Sequence, residues 1–159
     1  MRSPLADALI KVARSYLAVR ELEPNRGREI DRWNEEVGAE LGSAYQCSFV
    51  SHCIERACVA LERPRPVMRY ASTFHFWSEA KACRMVKPAS EAIPGDLGVI
   101  LQGKTWRHVG VVVQGASEGF LRLIEANVGS DRPGDRRGVH EKRRACSELA
   151  GVIRLPGIS

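Results

Sequence analysis

At 159 residues, 44% of them hydrophobic and 27% charged, the chain has the size and balance of one folded domain with a real core, which excludes wholesale disorder and leaves no room for a second domain. The net charge of +5 favours an anionic partner. No apolar stretch approaches the roughly twenty residues of a membrane span, and no run after Met1 has the basic, then apolar, then small-residue order of a signal peptide. Synthesis in the cytoplasm without stable membrane insertion is therefore expected, and passage elsewhere would need outside help.

Five cysteines, at 47, 53, 58, 83 and 146, are an odd number with no C-x-x-C pair, so neither a disulfide framework nor a structural zinc is expected. Free thiols suit a reducing compartment. Arginines gather at Arg132, Arg136, Arg137, Arg143 and Arg144. Nucleic acid, an anionic wall polymer and a merely solvated loop all fit such a cluster.

In chain order, Ser3-Pro4 reads as a cap and first turn, and Leu5, Leu9, Val12, Ala13, Tyr16 and Leu17 recur at helical spacing. Pro24-Asn25-Arg26-Gly27 breaks that helix, and Ile30, Trp33 and Val37 mark a second one ending near Gly38. A loop of small residues, 39–44, leads to Cys47, from which Val50, Ile54, Ala57, Cys58 and Leu61 define a helical face with His52, Glu55 and Arg56 outward. Cys53 and Cys58 then pack inward. Arg63-Pro64-Arg65-Pro66 stops this helix, and Ser72 caps another carrying Phe74, Trp77 and Ala80, with His75 a surface residue.

After residue 90 the period changes from helical to alternating. Pro94-Gly95-Asp96 is a turn, Leu97 to Leu101 and Val109 to Gln114 are strands, and Phe120 to Glu125 pairs back as a hairpin. Val139 to Lys142 and Gly151 to Leu155 supply the last strands. Helices followed by an antiparallel sheet make an α+β domain.

Tyr45-Gln46-Cys47-Ser48-Phe49-Val50-Ser51 is where loop gives way to helix, and a thiol at a helix N-terminus is favoured as thiolate by unpaired N–H groups and the macrodipole. The competing reading of Cys47 is a small apolar residue filling space. A cysteine nucleophile needs a base, and the base a third group to orient it. Among four histidines, His108 opens a strand beside Gly110, where backbone approaches closely. Strand alternation puts Glu125 and Asn127 on one face, and the hairpin returns that face to His108. Glu125 as a strand-end surface charge and Asn127 as a turn residue is the alternative.

The order Asn25-Arg26-Gly27-x-x-Ile30-Asp31, Cys47-Ser48-Phe49-Val50-Ser51, Pro94-Gly95-Asp96, His108-Val109-Gly110-Val111-Val112 and Ile124-Glu125-Ala126-Asn127 resembles the CHAP domains of phage lysins and bacterial wall hydrolases. Gly138-Val139 and Gly151-Val152-Ile153-Arg154 resemble that family's final strands, so the likeness spans about residues 20 to 155. It implies a papain-like, NlpC/P60-related fold over 1–159. The implied activity is a peptidoglycan endopeptidase or N-acetylmuramoyl-L-alanine amidase acting through a thioester. By carry-over Cys47 is the nucleophile, His108 the base and then acid, Glu125 its orienter and Asn127 a supporting member. Gln46, with Tyr45 beside it, is implied at the oxyanion or substrate site.

Some relatives bind calcium through an aspartate-rich loop ahead of the cysteine, whereas residues 38–46 carry only Glu40, so no metal and no cofactor is expected. Arg136 and Arg137 in the loop 128–138 are expected to hold substrate carboxylates. The expected partner is peptidoglycan rather than nucleic acid, reached by a monomer in the wall or periplasm. A holin would release it if it is a lysin, and an immunity protein would neutralise it if it is an antibacterial effector. A non-catalytic wall-binding module of the same fold, and a cysteine protease or acyltransferase acting on protein or lipid, are the alternatives.

Overall fold

The computed structural model describes residues 2–103 and 105–159, and the side chains of these except at 102 and 105–107. Among the described residues four α-helices come first: α1 (Pro4–Ser15), α2 (Arg28–Glu36), α3 (Gln46–Ala60) and α4 (Thr73–Ala82). The Ser3 hydroxyl accepts from the Ala6 N–H, Pro4 takes the first turn, and Arg14 sits at the negative end of the dipole. Ser72 caps α4 in the same way through the His75 N–H. Within α4 the buried face carries Thr73, Phe76, Trp77 and Ala80, while Phe74 is exposed.

Six strands follow among the described residues: β1 (Val86–Lys87), β2 (Leu97–Gln102), β3 (Thr105–Ser117), β4 (Phe120–Val128), β5 (Gly138–Ala145) and β6 (Leu149–Ile153). They form one antiparallel sheet in the order β1-β6-β2-β3-β4-β5, so the domain is α+β. Arg143 and Arg144 belong to β5 rather than to a loop, because the strand runs three residues beyond the expected segment Val139 to Lys142. Among the described residues no helix is long and apolar enough to cross a membrane.

The main core lies between helices and sheet, with α3 at its centre: Phe49, Val50, Cys53, Ile54, Ala57 and Cys58 pack with Val109, Val111, Ile124 and Ala126. The opposite sheet face buries a smaller cluster, Ile100, Val112, Leu121, Leu123, Leu149 and Val152. With both faces covered, β4 reads as a nearly continuous buried strand from Leu123 to Ala126 rather than alternating in and out.

His52 is not on the outer face of α3. It is buried between α1 and α2, with Tyr16 Oη 2.7 Å from Nε2 and Glu36 Oε2 2.6 Å from Nδ1. Two polar partners satisfy both ring nitrogens, which lets a histidine occupy a helix-facing position. Burial holds its pKa below the ordinary 6.5 against the pull of Glu36. The unfolded chain therefore binds the proton more readily, so this contribution to stability is complete above about pH 6.5 and is lost as the pH falls toward the folded pKa. Thermal melts from about pH 8 to about pH 5 should show Tm declining below about pH 6.5. His52→Gln should flatten that decline in part, since burial lowers the His140 pKa too. An unaltered pH slope in the variant would remove His52 as its source.

Candidate functional site

Cys47 is the second residue of α3 and only 1% exposed. The helix N-terminus alone would lower the thiol pKa, yet burial pushes it up to about 12, against a lowering influence of the Thr73 hydroxyl at the start of α4. Desolvation thus outweighs the dipole, and Cys47 is a thiol at neutral pH. Thr73 has no sequence signal beyond its place after the cap Ser72, and its place as a polar neighbour of Cys47 is set by where the tertiary structure puts the start of α4.

His108 lies on β3, buried, with Nε2 3.6 Å from Oε2 of Glu125 on β4. Glu125 is fully buried. The strand register explains the approach: Gly110 is directly opposite Glu125, and a Cβ at Gly110 would stand 2.8 Å from Glu125 Cγ and 2.8 Å from the Ile124 carbonyl oxygen. Gly110 therefore makes room for the Glu125 side chain. Gly110→Ala is expected to displace it and to lower stability by about 1–3 kcal/mol, read from the denaturant midpoint. A midpoint equal to the parent's would mean the site gives way freely.

Asn127 does not continue the alternation that Glu125 begins. The β4–β5 register skips between Glu125 and Val128, and Asn127 has φ +60°, so it sits on a bulge. From there its Nδ2 donates to Gln46 Oε1 at 3.1 Å, linking β4 to the first residue of α3. Arg137 Nη2 donates to the Asn127 carbonyl at 2.7 Å and to Oδ1 at 3.2 Å. Tyr45 is placed otherwise than expected: its ring is fully buried and its hydroxyl donates to Glu21 at 2.9 Å. Burial and Glu21 raise its pKa, and it supports the loop before α3 from beneath.

A cleft of about 490 Å³ is lined by Gln46, His108, Asn127, Arg137, Lys142 and Arg144, among others. A second, of about 510 Å³, shares Ala44 and Gln46 with it and is bounded by Ala39, Ala71, Thr73 and Phe74. The two clefts flank the start of α3. The first is basic, while the second is lined by small residues, one aromatic ring, Gln46 and the acidic Glu40. Arg137 lines the first cleft, whereas Arg136 is not among its lining residues: its main chain binds Asp135 and His140 instead.

Behind His108, Arg144 donates from Nε to Glu125 Oε1 at 2.8 Å and from Nη2 to Oε2 at 2.7 Å. Reading the arginine cluster as a loop hides this contact, although Lys142 and Arg144, two apart on a strand, share a face. Among the described residues no group of three or more His, Cys, Asp or Glu side chains is placed to hold a metal ion. No protein-family model and no curated protein matches the chain.

Proposed function

We propose that the chain is a papain-like cysteine hydrolase of the CHAP and NlpC/P60 type that cleaves amide bonds of peptidoglycan. The observation carrying this is the buried Glu125 carboxylate set 3.6 Å from His108 Nε2, in a cleft that Gln46, the residue before Cys47, also lines. Glu125 faces Nε2, so the proton from Cys47 goes to Nδ1. Because the thiol stays protonated at neutral pH, proton transfer accompanies attack of Sγ on the substrate carbonyl carbon. The oxyanion that forms accepts from the Cys47 N–H and the Gln46 side-chain amide. Collapse breaks the C–N bond, and His108 returns the proton to the leaving amine. His108 then takes a proton from water as hydroxide attacks the thioester, and the thiol and a carboxylic acid are released.

Glu125 stabilises the imidazolium in both halves. Arg137 and Lys142 suit the carboxylates of stem peptides. The site of action is the wall or periplasm, with release through a holin or delivery as an effector countered by an immunity protein, and the protein acts as a monomer. Mass spectrometry of purified sacculi of several wall chemotypes after digestion tests the reading. New fragments whose masses place the cut at an amide bond are expected, and none from any chemotype would sink it. The burial of Cys47 favours a second reading, a non-catalytic wall-binding module of the same fold. It predicts co-sedimentation with sacculi and unchanged fragment spectra.

A further inference from the structure

We infer that Arg144 is a positioning residue of this site, holding the buried Glu125 carboxylate against His108 and setting how many protons the Glu125–His108 pair carries near neutral pH. The inference rests on the reading of His108 as the base. Three observations support it. The guanidinium grips both Glu125 oxygens at 2.8 and 2.7 Å, and its own side chain is 22% exposed while that of Glu125 is not exposed at all. The oxygen bound by Nη2 is also the one nearest His108 Nε2. Glu148 steadies Arg144 from the outer side, 3.4 Å from Nη1, while its other oxygen accepts from the Ala145 N–H.

A fully buried carboxylate is stable as an anion only with a cation bound to it. Without Arg144 the pair would relieve that charge by taking up a proton, either on Glu125 or on His108. The first loses the anion that stabilises imidazolium, and the second occupies the base. Both amount to a higher apparent pKa for the pair. Among the described residues, other charged groups near the pair have partners of their own. His140, opposite Glu125 in the β4–β5 register, contacts the Arg136 carbonyl and lies 3.9 Å from Asp135. Lys142 binds Asp131 at 2.6 Å, and Arg137 is 3.8 Å from Glu21. Arginine suits the task because its planar fork matches two carboxylate oxygens, whereas lysine offers a point charge.

The test titrates the His108 ring by NMR in a Cys47→Ala background carrying Arg144→Met or Arg144→Lys, and measures kcat and KM against pH on solubilised peptidoglycan in the Cys47 background. Arg144→Met should move the apparent His108 pKa, and with it the acid limb of kcat/KM, by about one pH unit or more, upward where His108 takes the extra proton and downward where Glu125 takes it. Arg144→Lys should titrate close to the parent, with kcat down about tenfold and KM unchanged. An unmoved His108 titration in Arg144→Met, with only Tm reduced, would overturn the inference by showing a purely structural role. Equal titration shifts in both variants would overturn it as well, since the cation would not be the cause. Should Arg144→Met not fold, Arg144→Gln carries the same comparison. If the parent releases no fragments from any substrate, the hydrolase reading fails, and the titration still decides what Arg144 does to the pair.

Discussion

Replacing His108 with alanine is expected to lower fragment release from sacculi about 10²–10⁴-fold, the usual contribution of a positioned general base, and Cys47→Ala to remove it altogether. The dependence on His108 should be at the high end of that range here. A catalytic cysteine with a depressed pKa keeps some reactivity without its base, but burial raises the Cys47 thiol to about 12, so almost no thiolate exists at neutral pH until His108 takes the proton. It follows that alkylation of Cys47 by iodoacetamide in the free protein should be slow and should accelerate only well above pH 8. Cys53→Ala serves as a control, since Cys53 is a fully buried packing residue of α3. Undiminished turnover in Cys47→Ala, with circular dichroism matching the parent, would end the assignment of the nucleophile.

The second large effect concerns the fold that carries the site. Asp96 is fully buried, accepts from the Ile93 N–H at 2.9 Å and is gripped by Arg154 through Nε and Nη2 at 2.9 and 2.8 Å. Its backbone also pairs with Val112. Pro94-Gly95-Asp96 is therefore a clasp as well as a turn: it ties the chain just after β6 to the start of β2 and to β3. Arg154→Met strands a buried carboxylate, and such half-broken pairs cost about 3–5 kcal/mol. In a domain of this size that lowers Tm by about 6–20 °C. Asp96→Leu combined with Arg154→Met should recover part of the loss, because neither partner is then left charged and alone. Calorimetry checks both, and a single variant as stable as the parent would show the clasp to be idle.

Much of the element order was readable because the signals are local. Ser3, Ser72, the Pro24 and Pro64 breaks and the change of period near residue 90 each act over a few residues, and caps and turn chemistry operate at that range. Cys47 at a loop-to-helix joint was readable for the same reason. The approach of Glu125 to His108 was also within reach, because a tight hairpin fixes the register between neighbouring strands. The bulge at Asn127 was not, since an extra residue on one strand leaves no fixed mark in composition.

The positions of His52, Tyr45, Arg144 and the Cys47 thiol were decided by other elements. His52 turns inward because Tyr16, just past α1, and Glu36, at the end of α2, reach its ring, and Tyr45 is turned under the site by Glu21. Arg144 reaches Glu125 only through the β4–β5 pairing. The sequence by itself determined which secondary-structure element holds most of the candidate residues, because that depends on residue type and near neighbours. Only the tertiary structure decided their charge states and partners, because desolvation and ion pairing depend on what packs around a group from distant parts of the chain.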